Sequence, residues 1–508
     1  MREKTKMGEA TTAAANVNKQ PSPPHIVMLP FMAHGHLIPF LALARQIHHL
    51  TNFTITIATT PLNIAYLRST ITNSSNQIHL IDLPFDTSAH NLPPNCENTE
   101  SLPLSLIVSL FTASTSLETP VNNLIEQITA DEGRPPLCII SDIFLGWANR
   151  VAEANSTVNI SFTTGGAYGT AAYISIWQNL PHRKTDSDEF HVPGFPDSSR
   201  FHRSQLHPFI RAADGTDDWS LFFQPQIALS LQSFGWVCNT AEEIEPSAME
   251  ILRKYIKKPV WAVGPLLPPE MLGTSSPVPI SNRHSGRKSG ILVKDCLDWL
   301  ETKEKRSVLY ISFGSQNTIG ETQMMELAKG LEKSGKPFIW VIRPPVGFDV
   351  KGEFKDEWLP ERFEERITRE KKQGLLVRGW APQLEILKHS SIGGFLSHCG
   401  WNSAMESLSQ GVPLIGWPLA AEQTYNVKMM VEEMGVCVEL TRGGKGEIDC
   451  EKVEKIIVEV MEMEEMKMRA EKIRDSIRVA MEDGGDGKGS SLLALDDLIL
   501  KLVSLSTL

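Results

Sequence analysis

Residues 380–423 read WAPQLEILKHSSIGGFLSHCGWNSAMESLSQGVPLIGWPLAAEQ, and the fold follows from the middle of that stretch. Ile392 to Leu396 are apolar and bounded by small residues, the pattern of a buried parallel strand. Ser397-His398-Cys399-Gly400 form a short turn, and Asn402-Ser403 open a helix that continues through Glu406 and Leu408. A helix start after a Gly-containing turn presents unpaired N–H groups and the positive end of the helix dipole, which is an anion site. His398, Asn402 and Ser403 add side-chain donors there, so a pyrophosphate fits better than a single carboxylate. Glu406, one turn on, is placed to accept from two ribose hydroxyls. Trp380, before Pro382 at a strand end, offers a flat face for a base, and Ala381 and Gln383 complete base and ribose contacts. Base, ribose and pyrophosphate together describe a nucleoside diphosphate.

From Trp380 to Gln423 the chain resembles the signature box of the plant family 1 UDP-glycosyltransferases. The resemblance implies a GT-B architecture, α/β with two Rossmann-like domains facing across a cleft. It also implies transfer of a sugar from a UDP-sugar to a small acceptor without a metal or other cofactor. By the same resemblance Trp401, Glu422 and Gln423 grip the sugar. Gln at the last position goes with glucose, and Glu422 stands where Asp is commoner.

Outward from this stretch the chain alternates apolar runs with helical patterns. The first half reads as strands Ile26–Leu29, Phe53–Thr59, Ile78–Leu83, Leu137–Ser141 and Val158–Phe162, with helices Ile38–Leu50 and Pro61–Ser69. Residues 181–220 read as an irregular polar loop, and Trp236–Asn239 as the last strand of this half. The second half reads as strands Val308–Ser312, Phe338–Ile342, Gly374–Val377, Leu414–Gly416 and Val436–Leu440. Helices Glu321–Lys333 and Gln423–Glu433 lie between them, and a charged helix starts near Glu451. This order predicts two doubly wound parallel sheets. Residues 1–24 are expected to be a disordered segment, 25–264 an acceptor-binding domain, and 265–290 a linker rich in Pro, Ser and Gly. Residues 291–484 form the nucleotide-sugar domain, and 485–508 a helix that the resemblance returns to the first domain.

In the first half two titratable residues fall at strand ends, where open α/β sheets bind ligands. His36 lies in the turn after the first strand, and Asp142 follows a later one. A His held by a buried Asp has a fixed tautomer and a stabilised imidazolium, which suits a general base. In the resembled family such a pair deprotonates the acceptor hydroxyl, which displaces UDP with inversion; His36 and Asp142 match those positions. His34 competes for the role of base. Ser315, after the first strand of the second half, adds a phosphate donor, and Thr164 reaches the far end of the sugar. Phe31, Phe111, Trp147, Phe209 and Phe222/Phe223 are candidate walls of an acceptor pocket for flavonoids, other phenolics or terpenoids.

Length and composition set the outer bounds. With 508 residues, 41% hydrophobic and 21% charged, the chain has room for two full cores. A net charge of -11 argues against nucleic acid and leaves an anionic donor to be held by local dipoles. Seven scattered cysteines without paired spacing indicate a reducing compartment and no zinc site. No apolar leader or membrane-length tail is seen, so a cytoplasmic monomer without membrane insertion is expected. Asp186-Ser-Asp188 is read as a solvated cluster. Gly330–Lys336 imitates a phosphate loop in the wrong element order and with Pro337 where Ser or Thr is needed. An NAD(P)-dependent oxidoreductase and a non-catalytic metabolite-binding protein stand as alternatives. The first lacks a G-x-G-x-x-G after a strand, and G-x-S-x-G is absent throughout.

Overall fold

The computed structural model describes residues 23–71, 78–273, 290–349, 352–484 and 487–505. Most of the expected N-terminal segment, linker positions 274–289 and the last three residues lie outside these.

Nine strands precede the linker: β1 His25–Leu29, β2 Thr54–Thr59, β3 Ile78–Asp82, β4 Cys138–Asp142, β5 Asn159–Thr163, β6 Glu189–His191, β7 Arg200–His202, β8 Gly235–Cys238 and β9 Val260–Ala262. The strands of the second parallel sheet follow it: β10 Val308–Ser312, β11 Phe338–Ile342, β12 Gly374–Arg378, β13 Ile392–Ser397, β14 Leu414–Gly416 and β15 Cys437–Glu439. Five helices bear on the site: α1 His34–Thr51, α2 Ala167–Asn179, α3 Trp401–Leu408, α4 Gln423–Glu432 and α5 Ser490–Leu505.

The first sheet has the order β3-β2-β1-β4-β5-β8-β9 and the second β12-β11-β10-β13-β14-β15. All neighbours in both are parallel. The strands carry near-continuous Val, Ile and Leu because both faces are covered. Two such Rossmann-like domains face each other in the GT-B arrangement. In each sheet the winding reverses once, between β1 and β4 and between β10 and β13, opening a crevice beyond the carboxyl ends of those strands. The register sets Leu29 beside Ser141 and Ser312 beside Ser397, so the residues just after them flank the two crevices.

The structure corrects several local expectations. Residues 181–220 are not an irregular loop: β6 and β7 pair antiparallel, and short helical turns follow. Phe190 and Phe201 anchor this hairpin in the core, an apolar signal diluted by the charged residues around it. The strand at Trp236 is not the last of its half, because β9 adds an outer parallel strand. Helix α1 begins at His34 rather than Ile38 and carries Pro39 as its sixth residue, which leaves the Gly35 carbonyl, four residues back, without an intrahelical N–H. The charged helix near Glu451 is two helices, Cys450–Glu462 and Glu464–Ala480.

Helix α5 lies on the first sheet. Leu495, Leu498 and Leu502 share a core with Ile26, Met28 and Ile140, and Trp261 Nε1 donates to Asp497 Oδ2 at 2.8 Å. The domains meet where α2 approaches α4. A Cβ at Gly166 would sit 2.7 Å from the Trp401 ring, and one at Gly169 would overlap the Asn426 side chain, so only glycine lets these surfaces close.

Candidate functional site

Both crevices open into one cavity of about 1590 Å³ between the domains. Ser315, Trp380, Ala381, Gln383, His398, Trp401, Asn402, Ser403, Glu406, Glu422 and Gln423 line it from the second domain, and His36 and Thr164 from the first. Asp142 stands behind this surface, fully buried at the end of β4.

His36 sits in the first turn of α1, and its Nδ1 donates to Asp142 Oδ2 at 2.6 Å. The other Asp142 oxygen accepts from the Phe144 N–H, which fixes the carboxylate. Nε2 of His36 is therefore the unprotonated atom of the neutral ring. Burial works against protonation of His36, but the charge and hydrogen bond of Asp142, helped by Glu422, outweigh it and hold the pKa above its ordinary value. Thr164 Oγ1 lies 3.4 Å from His36 Nδ1. His34 is committed elsewhere: its ring is buried, paired with Glu100 at 3.1 Å and packed on Tyr66.

Across the cavity, Gly400 leads into α3, whose first N–H groups face the crevice without intrahelical acceptors. His398 packs between Gly314 and Gly400, where a Cβ on either would meet its ring at 2.6 Å. Burial, and then the charge of Arg343, push the His398 pKa down to about 4, so the ring is neutral at physiological pH. Its buried Nδ1 has no partner among the described residues. Glu406 is pushed up to about 7 by burial, against the opposing hydrogen bond from Gln383.

Three side chains have protein partners that the sequence reading did not name. The Gln383 amide faces inward: Nε2 donates to Glu406 Oε2 at 2.6 Å and to Ser403 Oγ at 3.1 Å, and Tyr310 OH donates to Gln383 Oε1 at 3.2 Å. It braces Glu406 and Ser403. The Trp401 indole crosses to the first domain, where Nε1 donates to the Asn239 carbonyl at 2.7 Å. Asn402 Nδ2 likewise donates to the Gly35 carbonyl at 3.0 Å, next to His36. Gln423 Oε1 accepts from the Leu419 and Ala420 N–H groups at 2.9 Å each, leaving its amide nitrogen as the group to meet a ligand. Burial raises the Glu422 pKa, opposed by nearby His36.

The pocket around His36 is aromatic. Phe31, Phe111 and Phe209 line it as expected, with Phe31 stacked on Phe111 at 4.3 Å and Phe209 on Trp219 at 4.6 Å. Trp147, Phe222 and Phe223 do not: they are buried behind it as core. Phe144, Tyr173, Trp177 and Trp219 complete the wall and were missed, because nothing in a helical or strand pattern separates an aromatic facing a cavity from one facing the core. Arg343 was also missed. It follows β11 directly, and a cation at the carboxyl end of a parallel strand is the signal that points to it.

Two family models cover nearly the whole chain: "Glycosyltransferase, N-terminal domain" matches residues 24–268, and "UDP-glucoronosyl and UDP-glucosyl transferase" matches 284–475. UDP-glycosyltransferase 92A1 of Arabidopsis thaliana is 43% identical, covering 93% of this chain and 96% of its own. Crocetin glucosyltransferase 3 of Crocus sativus is 44% identical, with 92% and 97% covered. The crystal structure of Glycyrrhiza uralensis UGT73P12, complexed with glycyrrhetinic acid 3-O-monoglucuronide, superposes with a TM-score of 0.80 at 28% identity, covering 96% of this chain and 97% of that one. At these identities, over nearly the full length of both chains, the chain belongs to the plant family 1 UDP-glycosyltransferases.

Proposed function

We propose that this enzyme transfers glucose from UDP-glucose to a hydroxyl of a small apolar plant metabolite, a phenolic or terpenoid, with inversion to a β-glucoside. The observation that carries this reading is that His36, held from behind by Asp142, lines the same cavity as the α3 N-terminus. His36 Nε2 takes the acceptor proton as the acceptor oxygen forms its bond to the anomeric carbon. The bond from that carbon to the β-phosphate breaks, and UDP departs with the electron pair. Asp142 stabilises the imidazolium that results. The α3 N–H groups, His398 and Ser403 meet the charge growing on the diphosphate, so no metal takes part.

Glucose is supported by Gln423, whose free amide nitrogen suits a hydroxyl oxygen, and by the name of the Crocus relative. An uncharged acceptor is supported by the aromatic wall, beside which burial and then Arg211 push the pKa of His207 down to about 4. Seven free cysteines accord with a reducing compartment, and we place the enzyme in the cytosol as a monomer. Family membership displaces the oxidoreductase alternative. A mass-spectrometric screen of mixed plant aglycones against UDP-glucose, UDP-galactose and UDP-rhamnose tests the reading. One added hexose from UDP-glucose is expected. Preferential transfer from another donor overturns the sugar assignment, and no transfer from any overturns the reaction.

A further inference from the structure

Arg343 lies just beyond β11, half-buried beside the loop that follows β10. Its guanidinium donates to three main-chain carbonyls of that loop: Ser315 at 2.6 Å, Asn317 at 2.7 Å, and Gly314. In a trans peptide the N–H points opposite to the C=O of the same unit. Drawing the Gly314 and Ser315 carbonyls onto Arg343 therefore turns the N–H groups of Ser315 and Gln316 away from it. Neither N–H meets an acceptor among the described residues, and both residues line the cavity. Gly314, at φ 75°, supplies the left-handed step that lets successive N–H groups converge, the geometry of an anion nest.

We propose that Arg343 is a positioning residue that builds this nest, and that the nest binds the terminal phosphate of the donor's diphosphate opposite the α3 N-terminus. The inference rests on the donor reading above and goes beyond it. The guanidinium grips these three carbonyls and acts through the loop. Gly314 packs on the His398 ring, so the nest and that imidazole form one surface. The Arg343 charge also helps keep His398 neutral.

The test compares UDP with uridine, which has the base and ribose but no phosphate. Calorimetric affinities of both are measured for the wild-type protein and for Arg343→Lys and Arg343→Met, with thermal unfolding recorded for each. Lys cannot hold three diverging carbonyls, so it is expected to lose UDP affinity nearly as far as Met does. Hydrogen bonds to charged groups contribute enough that UDP affinity should fall about ten- to a hundredfold in both, with uridine affinity unchanged. Equal loss of UDP and uridine, or loss of neither, overturns the nest while wild-type preference for UDP leaves the transferase reading intact. Wild-type protein that binds UDP no better than uridine overturns both. If the Met variant unfolds at lower temperature, the Lys variant decides alone.

Discussion

The Trp401 indole nitrogen, at the start of the donor-side helix, is hydrogen-bonded at 2.7 Å to the main-chain carbonyl of Asn239 in the opposite domain. Asn239 also donates from Nδ2 to the Thr164 carbonyl at 3.1 Å and accepts the Leu266 N–H at 2.8 Å. One residue thus joins the donor helix, the loop beside His36 and the start of the interdomain connection. Trp401→Phe keeps the ring but strands a buried carbonyl, a loss of about 1–3 kcal/mol. A lower melting temperature is expected, together with a lower kcat, because the two crevices no longer hold register. Unchanged melting and turnover would show that the bond is incidental.

His36→Ala is expected to reduce kcat about 100- to 10,000-fold while UDP affinity stays near the wild-type value. Asp142→Asn should lose much of the same factor, since its amide no longer selects the tautomer with Nε2 free. His34→Ala is expected to keep transfer, because that ring is occupied by Glu100 and Tyr66. Rates and calorimetric UDP affinities on the three variants separate these outcomes.

The pH profile follows from the sign of the His36 shift. In the proposed reaction the neutral ring is the base, so kcat/KM is expected to fall as pH drops through the His36 pKa, with a midpoint above the ordinary 6.5. Asp142 and Glu422 hold the midpoint up, against burial. Asp142→Asn and Glu422→Gln should therefore move it to lower pH. A midpoint that stays put in both variants would assign the titration to another group.

Burial pushes Glu406 up to about 7. As the ribose ligand read from the sequence, Glu406 would accept from both hydroxyls only as the carboxylate, so uridine affinity is expected to strengthen from acid to alkaline pH through that value. Uridine is the right probe because it carries no titrating phosphate. In Glu406→Gln the affinity should be weaker and level with pH, as read by calorimetry.

EDTA treatment is expected to leave the transfer rate unchanged, since helix N–H groups, His398 and Ser403 are proposed to carry the leaving-group charge. Loss of activity restored by a divalent ion would show that these donors do not suffice.

The architecture was readable because two physical constraints write directly into sequence. Strands covered on both faces must be apolar throughout, and parallel connections need helices between them, so the βα alternation and both crevices could be located. The turn and helix start at Gly400 were readable because such signals are local. Side-chain direction is not local. Gln383 was placed in the site, yet its amide faces Ser403 and Glu406, a choice set by the burial of Glu406 next to Tyr310. Phe111 faces the cavity while Phe222 fills the core behind it, although their sequence surroundings are equally apolar. Arg343 reads as one more surface cation until the loop it grips is folded beside it. The hairpin at Glu189–His202 was hidden because its two strands are three residues each and lie among charges.

The bare backbone at Gly166 and Gly169 has a bearing on engineering. Hybrid enzymes that graft one relative's acceptor half onto another's donor half will join two surfaces meeting with no tolerance at this seam. A graft that brings in alanine or serine at either position wedges the halves apart by the width of a methyl group, and His36 loses its alignment with the departing nucleotide. Screening chimeras for glycine at these two sites is thus a cheap filter before any assay of substrate choice.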